Sequence, residues 1–275
     1  MPQAVLTFFD DGAFPPWLTL SVILTAVVYT RGWLKIRETR CDQFSALRLT
    51  SFLCGLVVLW LALGPPLDDL ADTLLSAHMV EHLLLMSAVP PLLLLGLPVV
   101  PLLRGLPQVL RHQVMGPLLR LRWLRRFGHW LITPIVAWLA MNITFLAWHI
   151  PGPYCYALEH EGWHVVEHIC FLGSAMLFWW CVLRPWPAST HERNWGILLF
   201  LVSADIVNTL LAAFLAFCGT PVYRFYVVHP NAFHQLPLED QVLGAVIMWV
   251  FGSIAFLIPA MLITFQMLQS KQQRA

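Results

Sequence analysis

Two short runs hold the side chains best suited to chemistry: His78-Met79-Val80-Glu81-His82 and His164-Val165-Val166-Glu167-His168. Each sets two imidazoles four positions apart, with a carboxylate beside the second. On a helix, positions i, i+3 and i+4 share a face, so each run would present all three groups within about one turn. Neutral imidazole and carboxylate are ligands for zinc, copper and iron. H-x-x-E-H is also the inverzincin protease pattern, two zinc ligands and a general base, which further needs a distal ligand and a substrate cleft. Met79 and Met86 stand beside the first run. Their thioethers favour Cu(I), though methionine also serves as plain packing in apolar helices.

The elements that must position these groups are apolar. The 275-residue chain is 59% hydrophobic and 11% charged, with a mean hydropathy of +0.70. Such a composition excludes a soluble globular domain and points to a single all-α transmembrane bundle over residues 1–275. Seven spans are expected: Pro16–Thr30, Leu49–Leu63, Leu74–Leu97, Trp130–Trp148, Trp163–Leu183, Trp195–Phe217 and Gln241–Met267. Pro90-Pro91 should kink the third. Trp17, Trp33, Trp130, Trp148, Trp163 and Trp195 sit near span edges, as an interfacial belt would place them. Met1 to Phe9 lack the basic side chain that starts a signal peptide, so none is expected.

Charge orients the spans. Fifteen of the sixteen Lys and Arg residues fall in alternate loops and the carboxyl-terminal tail, and only Arg224 lies on the other side. The positive-inside rule then puts the amino terminus outside and the carboxyl terminus in the cytoplasm. Asp10, Asp11, Asp68, Asp69, Asp72, Glu159, Glu161, Glu239 and Asp240 all fall outside, which is consistent. The arginine-rich loop from Arg104 to Arg126 reads as a topology anchor on anionic lipid, and nothing suggests nucleic-acid binding.

With that orientation His78, His82, His149, His160, His164, His168, His229 and His234 lie at the outer face, and His112, His129 and His191 lie inside. Spans three and five run the same way, so the two runs share a depth and could face one another. Ionisable groups inside a membrane are expensive and usually functional, although a membrane histidine can also act as interhelical glue. Glu81 and Glu167 would complete a metal shell or orient its imidazoles. His149, just before Pro151-Gly152-Pro153, reads as a helix cap, a further ligand or a proton relay. His160 continues the second run's stripe, while His229 and His234 read as solvated loop residues. Asp205 and Asn208, mid-span in the sixth segment, read as an interhelical hydrogen bond or a proton path. Cys41, Cys54, Cys155, Cys170, Cys181 and Cys218 form no C-x-x-C pair and suggest neither disulfides nor a thiolate cage.

Four ordered motifs carry a family resemblance. They are His78-x-x-x-His82 with Pro90-Pro91, Trp148-His149-x-Pro151-x-x-Tyr154, His164-x-x-x-His168, and Asp240-Gln241-x-x-Gly244-x-x-x-Met248-Trp249. Together, over about Leu47 to Met267, the chain resembles the CtaG family of seven-span bacterial assembly factors for cytochrome c oxidase. One departure is Ala245, where a second glycine is common in the family. The resemblance implies an assembly factor in the bacterial plasma membrane that binds copper, with zinc as the alternative ion, and passes it to an oxidase subunit. The metal-site positions it implies are His78, His82, His149, His164, His168 and Asp240, joined by Glu81 and Glu167 from the spacing argument. A seven-span intramembrane zinc hydrolase acting on a lipid or peptide is the competing reading, and a haem-binding redox protein is a third.

Overall fold

The computed structural model describes residues 14–38, 40, 43–183, 195–229 and 233–272. Asp10, Asp11, Cys41, Arg184, His191, Arg193 and Arg274, and the side chain of Lys271, lie outside the described residues. Among the described residues the chain is all helix and turn. In order the helices are α1 (Pro16–Arg37), α2 (Ala46–Ala62), α3 (Leu67–Ala71), α4 (Leu75–Leu83), α5 (Val89–Leu95), α6 (Val99–Gly105), α7 (Gly116–Arg120), α8 (Arg122–Leu131), α9 (Pro134–Trp148), α10 (Pro151–Glu159), α11 (Glu161–Leu183), α12 (Trp195–Phe217), α13 (Arg224–Val228) and α14 (Pro237–Gln272).

Five helical stretches are long and apolar enough to cross a membrane: α1, Leu75–Leu95, α11, α12 and α14. A sixth crossing results if α8 and α9, bent by 67° at their junction, are taken as one. α2 is apolar but only 17 residues long, below the roughly 20 a perpendicular crossing needs. The expected fourth span is shorter than its sequence suggests. Pro134 starts a new helix, and Trp130 belongs instead to α8, where Arg122, Arg125 and Arg126 alternate with Trp123 and Phe127. That helix has the pattern of one lying in an interface.

The third span does not break at its proline pair. Leu84–Ala88 forms a π-turn between α4 and α5, and the helix continues. Pro90 and Pro91 explain it. Neither has an N–H, so the Met86 carbonyl loses both its i+4 and its i+5 donor. The indole Nε1–H of Trp179 on α11 takes their place, donating to the Met86 carbonyl at 2.8 Å.

Two cores result. α1, α2 and the start of α6 enclose Tyr29, Trp33, Phe44, Phe52 and Leu97. There α1 and α6 cross at backbone contact, and a Cβ on Gly32 would collide with the Pro101 carbonyl. Lys35 Nζ reaches the Arg104 carbonyl at 3.5 Å, so the first and third basic loops meet at one end of the molecule. The larger core joins α4, α9, α11, α12, α14 and the segment around α13. It carries the histidine runs at the opposite end.

Candidate metal centre

α4 and α11 supply the two runs. α11 packs on the π-turn and on α5 more closely than on α4. The space left between the runs is filled by side chains. Each glutamate crosses to the other helix. Glu167 of α11 approaches His78 Nε2 at 4.0 Å and His82 Nε2 at 3.6 Å, both on α4. Glu81 of α4 approaches His168 Nε2 of α11 at 3.2 Å. Across the gap the His78 and His164 rings stack at 5.3 Å, and those of His82 and His168 meet at 5.8 Å. Ligand atoms of His78, His82 and Glu167 all lie within 4.8 Å of one another, as do those of His78, Glu81 and His164. The second triad shares His78 with the first.

These groups are out of water and short of partners. His78, Glu81 and Glu167 are fully buried, and His82, His149 and His168 nearly so. Both oxygens of Glu81 and Glu167, both ring nitrogens of His78 and His82, and Nε2 of His149, His164 and His168 have no hydrogen bond. The short approaches above are distances without hydrogen-bond alignment. Buried polar groups are normally paired, and buried charges are paired or hold a metal. Two carboxylates among imidazoles, all with free lone pairs, suit a cation that binds both nitrogen and oxygen.

His149 closes α9. Its Nδ1 lies 2.7 Å from the Phe145 carbonyl and so carries the proton, which leaves Nε2 as a free lone pair. Its ring sits 6.2 Å from that of His82, adjoining the cluster. His160 lies just before α11 and is exposed, bonded to the Tyr156 carbonyl. His229 and His234 are exposed as well.

Asp240 has a different place from the one expected of it. Leu75 N–H donates to its Oδ2 at 2.6 Å and Ser76 N–H to its Oδ1 at 3.2 Å. It caps the amino terminus of α4 from α14 and is not among the clustered ligands. Gln241 beside it accepts from Val222 N–H at 2.7 Å and donates to the Leu215 and Thr220 carbonyls, tying α12 to the loop that follows. Gly244, one turn on, lets α14 press against Ser76 and Met79, where a Cβ would stand 3.2 Å from the Ser76 Cα. Asp240 and Gly244 thus share a helix face that fixes where α4 starts, while Gln241 faces α12 and the loop after it.

A layer of tyrosines, not anticipated as part of the site, covers it. The Tyr154 ring lies 5.2 Å from His78. Tyr226 donates to the Ala71 carbonyl at 2.9 Å and so accepts from Tyr154 at 3.2 Å, while Tyr223 donates to the His149 carbonyl at 3.1 Å. The pattern Tyr223-x-x-Tyr226 in the segment after the sixth expected span was the available signal. Of the mid-span pair, Asn208 donates to the Met248 carbonyl at 3.2 Å, joining α12 to α14, and Asp205 Oδ1 has no partner.

Fold and site together define a multi-pass, all-α membrane protein built around a buried histidine–carboxylate cluster. The chain belongs to the family described as cytochrome c oxidase caa3 assembly factor (Caa3_CtaG), whose family model matches residues 27–270. It is similar to an uncharacterized protein of Mycobacterium leprae, 26% identical over 190 residues, covering 66% of this chain and 28% of that protein. Uncharacterized proteins of Mycobacterium bovis and Mycobacterium tuberculosis are each 29% identical over 252 residues, covering 90% of this chain and 38% of theirs. This chain therefore spans less than two fifths of the curated relatives it matches. No solved structure matches it significantly.

Proposed function

We propose that this protein binds copper at the crossed histidine–glutamate cluster and aids its insertion into a cytochrome c oxidase, working from the outer face of a bacterial plasma membrane. One observation carries the reading. Two runs more than eighty residues apart close on each other so that each run's carboxylate faces the other run's imidazoles, and nearly every polar atom there lacks a partner. A purely structural histidine–glutamate network would have satisfied itself. The family to which the chain belongs supports the oxidase as client. The outward orientation is supported by the basic loops, which meet at the end away from the cluster.

The copper would be held by imidazole and carboxylate and passed on by ligand exchange, with Tyr154 and Tyr226 limiting water above it. The competing readings gain less from the geometry. As a zinc hydrolase, the site would need one glutamate free to act as base on a bound water. Here both glutamates face the opposite run's imidazoles. As a haem site, it would need a slot between facing rings, and the facing pairs are already near contact.

The test is metal analysis of the purified protein beside the client oxidase from the same cells. Copper should co-purify with the wild type and be lost from the His82→Ala/His168→Ala double variant. The oxidase from cells carrying that variant should lack copper at normal transcript levels. Full oxidase assembly in those cells would defeat the proposal. A reporter after Ala275 should behave as cytoplasmic and one in the Asp68–Asp72 loop as exported. The reverse would place the cluster on the wrong side for delivery.

A further inference from the structure

Beneath the cluster, toward the middle of the bundle, lies a small cavity of about 30 Å³. It is lined by Met79 of α4, Met86 of the π-turn, Met141 of α9 and Met248 of α14, together with His82 and His149. Four of the chain's nine methionines thus converge from three spans on a space fit for one small particle. All four are buried.

We propose that this cavity is a second metal site, specific for Cu(I), in which thioethers replace the carboxylates of the cluster above. The inference rests on the copper reading and goes beyond it by separating two sites of opposite chemical character. Three observations support it. The first is the donor set. Thioether is a soft ligand that suits Cu(I) and suits Zn(II) or Cu(II) poorly. The second is charge. No Asp, Glu, Lys or Arg lines the cavity, whereas Glu81 and Glu167 stand in the cluster. The penalty for burying an ion among neutral groups grows steeply with its charge, so a neutral shell selects a monovalent ion over a divalent one. The third is the lone pair on His149. Its Nδ1 proton is engaged by the Phe145 carbonyl, and its Nε2 is buried without a partner. An apolar cavity would not need a nitrogen held in that tautomer.

His82 belongs to both sites, being in the upper triad with His78 and Glu167 and in the cavity wall with His149. It offers a path that never releases the ion. Cu(I) held through His82 would lose the Glu167 oxygen and gain a methionine sulfur while the His82 bond persists. No electron is transferred, and neither imidazole nor thioether has to lose a proton to bind. The π-turn contributes to this arrangement. It inserts an extra residue per turn just below His82 and so sets the phase of Met86 relative to that imidazole.

The experiment uses the full-length protein in detergent, loaded with Cu(I) without oxygen and read by X-ray absorption at the copper edge. Selenomethionine labelling makes the readout specific, because a selenium neighbour can come only from methionine and not from the free cysteines. The labelled wild type should show copper–selenium scattering and bind two Cu(I) per chain. Met141→Leu/Met248→Leu, close in volume and apolar, leaves only Met79 and Met86 in the cavity, so it should weaken that scattering and the second Cu(I) site while retaining Zn(II) at the cluster. Cu(I) bound in the wild type with only nitrogen and oxygen neighbours would overturn this proposal and leave the proposed function standing. Wild type that binds no copper would overturn both. The labelled wild type needs no substitution, so a variant that fails to fold does not blunt the test.

Discussion

Asp240 and Glu167 are carboxylates buried at the same end of one bundle, and the chain treats them oppositely. Asp240 accepts a backbone N–H on each oxygen and holds the first turn of α4 in place. Glu167 accepts none, although it is buried completely. A carboxylate satisfied by backbone donors is part of the architecture. A carboxylate kept dry and unsatisfied costs the fold several kcal/mol unless something arrives to pair it. The difference separates the groups that build the site from those that the site offers to a ligand. It also predicts opposite responses to mutation.

The largest effect falls on the unsatisfied groups. Removing His82 and His168 together deletes one imidazole from each run, and copper affinity should fall by at least about a hundredfold, as loss of direct ligands exceeds the 10–100-fold typical of supporting residues. Competition against a chelator of known affinity measures it. Thermal stability of the metal-free double variant should not fall, since unpaired polar groups have been taken out of an apolar interior. A lower melting temperature with unchanged copper affinity would make these histidines structural and erase the contrast with Asp240.

The Asp240 side of the comparison should show the reverse. Asp240→Ala leaves two buried N–H groups at the start of α4 unpaired and should destabilise the protein by about 2 kcal/mol, within the range for lost caps and unsatisfied donors. Copper binding would weaken only through disorder of α4 and would recover at low temperature. Glu167→Gln replaces a buried, unpartnered carboxyl with a neutral amide of similar shape and should leave melting unchanged or raise it while weakening copper binding. Equal losses of stability in Asp240→Ala and Glu167→Gln would mean that the two carboxylates do the same job.

The sequence shows the parts of this contrast but not their assignment. The two H-x-x-E-H runs, their shared depth and His149 beside them follow from spacing and span direction. The crossing of Glu81 and Glu167 does not, because it depends on how each helix is rotated about its axis. Asp240 reads as one more ligand-type residue near the same end. A hint of its real role was present, since α4 begins at Leu74-Leu75 with no Ser, Thr, Asp or Asn at its cap, so its first donors needed a remote acceptor. Pro90-Pro91 announces a disturbance in the third span, but that it takes the form of a π-turn whose freed carbonyl is satisfied by Trp179, 93 residues from Met86, is not legible in the sequence. The methionine-lined cavity is least legible of all, as Met141 and Met248 resemble ordinary core residues in one dimension.

The smallest effect lies at the edge of the site, where half-buried Asp68 stands between the two extremes. Burial pushes its carboxyl up to about 6, and the neighbouring charges of Asp72, Asp69 and Glu161 add to the rise. A raised carboxyl means that the native state binds more protons than the unfolded chain between about pH 4 and 6. Stability from this group is therefore greatest at the acid end of that window and declines as pH rises through 6. Above it, ionised Asp68 opposes folding. Asp68→Asn removes that opposition, so the variant should melt higher than wild type at pH 7, by less than about 1 kcal/mol once solvent screening is counted. The two should converge as pH falls toward 4, and the difference between their melting curves across the window reports Asp68 together with its effect on the acidic groups beside it. If Asp68 instead accepts a stabilising partner as Asp240 does, the variant would melt lower at pH 7 and the gap would close as pH falls. The sign of one small difference therefore decides whether this outlying carboxylate is grouped with the satisfied Asp240 or with the unsatisfied Glu167.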